Sequence, residues 1–307
     1  MSHSVMFHHF HGEHHLPAQG SLSAFDFKEM IEWLQKRYTI LNASAYIEKF
    51  RAGSLGDSDI CLSLDDALKC QYDIALPVLE ELDIQSFFFV YSSAFVDEPD
   101  PLEIYRYFRT ACFSDIDEFY SLFFDVVAGL RPQDYSVSRS IFLGSDYLSN
   151  FPFYSENDKW FRYLRDQFLA PEEYHHSMKY LMASRRFDID HAKQILWMTE
   201  KEILDLDARG HVIGLHSFTH PTQMSKLGSE VQNWEYYSNY EHLSKLLGKP
   251  VKSMSHPCGD YSQTTLRILS ELGIEIGFRS SMSVKEILSP LEIPREDHAN
   301  VFAEMRR

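Results

Sequence analysis

The sequence is poor in the features that define several protein classes. Its four cysteines, Cys61, Cys70, Cys112 and Cys258, lie far apart and form no C-x-x-C pair, which argues against a disulfide framework or a cysteine-rich zinc knot and fits reduced thiols. No apolar run approaches the roughly 18 residues of a membrane helix, so no integral membrane segment is expected. Positive charge is scarce: 29 Lys and Arg stand against 45 Asp and Glu, a formal net charge of −16. A nucleic-acid backbone or an anionic membrane calls for a cationic surface, so neither is expected as the main partner. The opening MSHSVMFHHFHGEHH has neither a cationic leader nor an apolar stretch of about 7–15 residues, so it does not read as a secretion signal and a cytoplasmic location is expected. What remains is ordinary. Hydrophobic residues at 44% and charged residues at 24% in a chain of 307 describe a globular protein, either one large α/β domain or a domain carrying a substantial insertion.

Short apolar segments alternate with helical patterns. VMFHHF at 5–10, DICLSL at 59–64, QSFFFVYS at 85–92, HVIGLH at 211–216 and VKSMSH at 251–256 read as strands. Asp26 to Tyr38, Tyr72 to Leu82 and Thr264 to Leu272 read as amphipathic helices, the last stopped by Gly273. Strand followed by helix, repeated, predicts a largely parallel sheet closed into a barrel. Residues 94–201 break that rhythm with Tyr, Phe and Asp at helical spacing. They are expected to form a helical insertion packed over the active site, between barrel segments 1–93 and 202–307, because a compact domain seldom carries so long a structureless loop. Its aromatic stripes read as core first and as sugar-stacking platforms second.

Two sequence features carry chemistry. The strand DICLSL runs directly into Asp65-Asp66-Ala67, at the strand end where parallel barrels place their active sites. Adjacent carboxylates repel, and a cation held by one of them relieves the strain; the plain alternative is a helix N-cap. The second feature is His216-Ser217-Phe218-Thr219-His220-Pro221, whose imidazoles share one face if the turn is helical. The 15 histidines of this chain give roughly 0.7 H-x-x-x-H pairs by chance, and His11 and His15 form another. Context separates them, since His216 follows a predicted strand. No Glu follows His216, which removes the H-E-x-x-H metalloprotease reading. One carboxylate and two histidines make a set that leaves coordination positions open for water and substrate, with Asp65 beside it to take a proton.

At this point the chain resembles the polysaccharide deacetylases of the NodB type. LSLDDALKCQYDIALPVLEELDIQSFFFV is similar to their first motif, T-F-D-D-G; ARGHVIGLHSFTHP to their second; MSHPCGDYSQTTLRILSELGIEIGF to their third, an R-x-P-Y-G-like turn with a helix and a strand; and VMFHHF to their opening Y-H strand. The likeness spans about residues 3–92 and 202–298. It implies a distorted (β/α) barrel, a divalent metal, Zn²⁺ being the expected ion, bound by Asp66, His216 and His220, and Asp65 as general base. The implied reaction removes the acetyl group of an N-acetylated amino sugar. Ala67 replaces the usual Gly, and Ser255 stands where many members place an Arg that orients the base; Arg295, in LEIPREDHAN, is the candidate substitute. The family's late catalytic His has no clean match: His298 is the candidate, with His256 and His9 behind it and Pro257 as a lining residue. Arg295 and His298 also have a plain reading as surface residues, and Cys258 reads as a small buried hydrophobe. The expected substrate is a small nucleotide- or lipid-linked precursor of surface polysaccharide. A catalytically silent sugar-binding barrel, an amino-sugar deformylase and a hydrolase of another amide or ester remain open as alternatives.

Overall fold

The structure, a computed structural model, describes residues 2–96, 99–149 and 154–306. Its strands are β1 (His3–Phe7), β2 (Thr39–Ile40), β3 (Asp59–Asp65), β4 (Phe87–Val90), β5 (Val212–Leu215), β6 (Ser253–Ser255), β7 (Ile276–Phe278) and β8 (Arg295–Asp297). The helices between and after them are α1 (Ala24–Gln35), α2 (Ala43–Arg51), α3 (Leu76–Glu81), α4 (Leu102–Cys112), α5 (Ile116–Leu130), α6 (Pro132–Leu143), α7 (Glu156–Tyr163), α8 (Pro171–Ser184), α9 (Ile189–Leu196), α10 (Glu200–Ala208), α11 (Ser229–Leu247), α12 (Gln263–Glu271) and α13 (His298–Met305).

All strand pairs are parallel, in the order β7-β6-β5-β4-β3-β1-β8, with β2 added beside β3. Ile293, just before β8, pairs with Phe278 of β7, while β8 itself pairs with β1. The seven principal strands therefore form a nearly closed barrel, the predicted (β/α) architecture. Closure explains the strand composition. A parallel strand covered on both faces can be apolar throughout, and every residue of β1, β3 and β4 is buried. Phe87 and Phe89 point to one side of β4 and join Tyr46, Cys61, Ile276, Phe278 and Ile293 in one cluster; Phe88 points the other way, edge-on to His211. Close packing also fixes Gly214, where a Cβ would fall 2.5 Å from Phe89 and 2.6 Å from Ser253 Oγ.

Local signals set the helix ends. Ser23 and Asp26 form a capping box on α1, which buries Phe27, Met30, Ile31 and Leu34 on one face; Thr199 and Glu202 do the same for α10. Gly273 follows α12 with φ +73°, the left-handed conformation that releases a chain from a helix. The segment predicted as one helix over 72–82 starts instead as a π-turn, Gln71–Ala75, before α3. Two short strands, β2 and β8, of two and three residues, were not read from the apolar pattern of the sequence, and β7 was expected only as the strand that ends the third resembled motif.

The chain divides into two compact units, residues 1–100 with 193–307 and residues 101–192. The first is the barrel. The second is helical and has its own aromatic core, in which Phe108, Phe119, Tyr120, Phe123, Trp160 and Phe161 are each at most 2% exposed. Among the described residues no helix is long and apolar enough to cross a membrane.

Candidate metal centre

At the carboxyl end of β3 the backbone turns sharply. Asp66 donates its N–H to Phe89 O at 3.0 Å, and Asp66 and Ala67 adopt φ of 81° and 54°. The turn is tied down on both sides. The side chain of Gln71, fully buried, donates to His8 O at 2.9 Å and to Asp65 O, and Ala67 O accepts from Met198 N at 2.9 Å. Ala67 replaces a glycine usual at this turn in the resembled family, and a Cβ in left-handed backbone is costly. Ala67→Gly is therefore expected to raise stability by up to about 1 kcal/mol, after the entropy that glycine adds to the unfolded chain. Urea denaturation checks this, and a lower midpoint at unchanged slope would contradict it.

His216 stands one residue beyond β5. Its backbone N–H donates to Asn239 Oδ1 at 3.0 Å, and its Nδ1 lies 2.9 Å from Ser255 O. A carbonyl only accepts, so Nδ1 carries the proton and the Nε2 lone pair faces the site. The following turn departs from expectation: it is not helical, Ser217 and His220 having φ of 64° and 58°. The buried carboxylate of Glu235, on α11, accepts from Phe218 N at 2.9 Å and Thr219 N at 2.8 Å, and from the Thr219 hydroxyl. These bonds outweigh a helical continuation and swing His220 back onto His216, with ring centroids 4.8 Å apart. Tyr91, after β4, supports His220 at 5.5 Å between rings and accepts a hydrogen bond from Trp197 Nε1.

Asp66, His216 and His220 thus converge, their ligand atoms all within 4.8 Å of one another. Nε2 of each histidine lies 3.4 Å from Asp66 Oδ1, an oxygen that is buried without a hydrogen-bond partner among the described residues. Such a separation is too long for a hydrogen bond. It matches two ligand atoms that share a tetrahedral cation, which stand about 3.4 Å apart when each bond is about 2.1 Å. Two imidazoles and a carboxylate are also the donor types that suit zinc, so the residues present fit a divalent metal.

Asp65 stands beside this set, its Oδ2 3.7 Å from His216 Nε2. Arg295, 1% exposed, binds it with both arms of the guanidinium, NH1 to Oδ1 at 2.7 Å and NH2 to Oδ2 at 2.8 Å, and its Nε donates to Arg279 O at 2.7 Å. The plain reading of Arg295 as a surface ion pair is therefore replaced by a buried bidentate clamp. Burial pushes the Asp65 carboxyl up, but Arg295 and then His216 outweigh it and hold it below the ordinary carboxylate value. Asp66 is likewise held down against burial, chiefly by His220. His216 is raised despite its burial, by Asp65 and Asp66.

The remaining candidates separate. His298 holds Gly20 O at 2.8 Å through Nε2, stacks on Phe7 and pairs with Asp297; none of these contacts is to Asp65 or Asp66. His256 is fully buried, donates from Nε2 to Leu291 O at 2.9 Å and stacks on Tyr261, and burial pushes its pKa down to about 3. Pro257 is buried beside it. Cys258 is exposed with φ of 53°, so its reading as a buried hydrophobe is corrected. His11 and His15 bond Ser21 and Asp73, away from the cluster. His9 stacks on His8, and it is His8 whose Nε2 lies 3.9 Å from Asp65 Oδ2, with 28% of its side chain exposed.

His8 was missed from the sequence, as were Gln71, Glu235 and Asn239. The register that pairs Phe7 with Leu64 carries His8 alongside Asp65, and only the paired sheet reveals which histidine of the His8-His9 doublet faces the carboxylates. Glu235 and Asn239 sit four apart on α11, 15 or more residues beyond the turn they hold; the sole sequence signal was a polar stripe on an otherwise ordinary helix.

A family profile described as polysaccharide deacetylase matches residues 175–277, a span that includes His216, His220 and Ser255. No curated protein matches the chain. Solved structures match over nearly its whole length. Streptococcus pyogenes deacetylase PplD in complex with acetate aligns at 14% identity and TM-score 0.54, covering 96% of this chain and 91% of that one. IcaB from Ammonifex degensii aligns at 13% and 0.57, covering 96% and 90%. The BpsB deacetylase domain from Bordetella bronchiseptica aligns at 13% and 0.53, covering 96% and 94%. At these identities the likeness establishes the fold.

Proposed function

We propose that this chain is a metal-dependent hydrolase of the polysaccharide deacetylase type that removes the N-acetyl group of an amino sugar. The observation that carries the proposal is the buried Asp66, His216 and His220 set at one barrel mouth, with Asp65 clamped beside it by Arg295. A divalent cation held by those three residues supplies Lewis acidity, polarising an amide carbonyl and making a water easier to deprotonate. Asp65 takes the proton of the attacking water. Arg295 uses one lone pair of each carboxylate oxygen, so Oδ2, which lies 3.7 Å from His216 Nε2 and 3.9 Å from His8 Nε2, keeps one directed at the site. Water oxygen bonds to the acyl carbon, the C–N bond breaks, and the leaving nitrogen must gain a proton. We assign that role to His8, partly exposed and next to that oxygen, in preference to His298, whose Nε2 is engaged with Gly20 O. The sugar-binding alternative lacks support from a buried, pre-aligned base and ligand set.

We propose a nucleotide- or lipid-linked amino sugar as substrate, and acetate release from a panel of N-acetylglucosamine oligomers, UDP-N-acetylglucosamine and lipid-linked N-acetylglucosamine tests it. Acetate from none of these would remove the proposal. Within that assay His8→Gln should lower kcat by about 10²-fold or more with metal content unchanged, while His298→Gln stays within a few-fold of wild type. Equal activity of the His8 variant and the wild type would exclude His8 as the acid.

A further inference from the structure

We propose that Arg109 and Arg162, in the helical unit, form a binding site for a phosphate-bearing small anion. Arg109, on α4, lies over Phe161 at 5.1 Å and Phe119 at 5.7 Å, and Arg162, on α7, lies over Tyr154 at 4.1 Å. Both residues are half-buried. The Nε of each is buried with no hydrogen-bond partner among the described residues, and burial pushes the Arg109 pKa down, with Arg106 and Arg162 adding to the effect. A guanidinium nevertheless stays charged, and a half-buried charge without a counter-ion is costly.

Other arginines of this unit are treated differently. Arg131, Arg139, Arg165 and Arg185 each pair with a carboxylate, from Glu173, Glu156, Asp166 and Glu118 respectively. The acid nearest along α7, Asp158, accepts from the Tyr120 and Ser155 hydroxyls. In a chain with 45 acidic residues, two aromatic-backed guanidiniums with no carboxylate partner among the described residues are suited to an external anion. A phosphate, with up to two charges and three terminal oxygens, can take two guanidinium forks, whereas a single carboxylate satisfies one.

The test is calorimetric titration of the full-length, metal-loaded protein at low salt with inorganic pyrophosphate, beside Arg109→Met and Arg162→Met, which keep the apolar stem that covers the rings. Each substitution is expected to weaken binding at least tenfold without changing metal content. Competition by UDP-N-acetylglucosamine would assign the site to a diphosphate-linked sugar, and its absence to a free anion. No binding to the wild type, or equal affinity in the Arg162→Met protein, as would follow if the anion sat on the metal, overturns the proposal. Should Arg109→Met fail to fold, Arg162→Met and Arg162→Lys decide alone: the lysine keeps the charge and loses the fork, so it is expected to bind more weakly than wild type and more tightly than the methionine variant.

Discussion

Asp65→Asn should lower kcat by roughly 10²- to 10⁴-fold while the protein keeps its metal, because the substitution removes a base and no ligand. The geometry makes the split sharp. Asp66 holds the two histidines at 3.4 Å, whereas Asp65 spends its oxygens on Arg295 and reaches the site only through the edge of Oδ2. An amide at this position retains the shape of the carboxylate but offers no basic oxygen, so the loss falls on kcat and leaves KM within a few-fold. Metal analysis and steady-state acetate release on the same preparation check this. Loss of metal together with activity would place Asp65 among the ligands instead.

Arg295→Met should be the most destabilising of the single substitutions considered, by about 3–5 kcal/mol, the cost of leaving one partner of a buried ion pair uncompensated. Asp65 is 1% exposed and, among the described residues, has no other cation within hydrogen-bond distance; His216 and His8 stand at 3.7 and 3.9 Å. The methionine also abandons Arg279 O, which accepts from Arg295 Nε. Stability is only part of the effect, since an unclamped carboxylate turns more freely and its proton affinity rises. Pairing the two changes separates the contributions. If the buried charge is the main cost, Asp65→Asn with Arg295→Met should be destabilised by less than the sum of the two single variants, the deficit measuring the coupling. Additive losses in a urea double-mutant cycle would mean that the two side chains do not interact as the distances imply.

The fold was legible in the sequence wherever length and burial cooperate. β1, β3 and β4 are fully buried, largely apolar strands because both of their faces are covered, and Gly273 announces the end of α12. Strands of two or three residues carry little period of their own, so β2 and β8 are visible only through their pairing, and β7 was expected only through the resemblance. The site shows the same division. Asp66 and His216 could be picked out because each follows directly on a strand of the barrel, and His220 by its spacing from His216. Arg295 was a candidate only through the resemblance, as a substitute for the Arg that Ser255 replaces, and its role as the clamp on Asp65 depends on β8 pairing with β1, a contact between residues nearly 300 apart in the chain. His8 was displaced by its neighbour His9 for want of a register. The non-helical turn at 217–220 follows from one buried glutamate on α11, and no local property of HSFTH could foretell it.

The most direct test of the account is the metal content of the purified protein after equilibration with Zn²⁺, measured beside an Asp66→Ala, His216→Ala double variant and coupled to acetate release from an N-acetylated amino sugar. About one metal per wild-type chain is expected, with loss of both the metal and the acetate signal in a variant that still melts cooperatively. A wild type that takes up no metal, or a double variant that releases acetate at the wild-type rate, would contradict it.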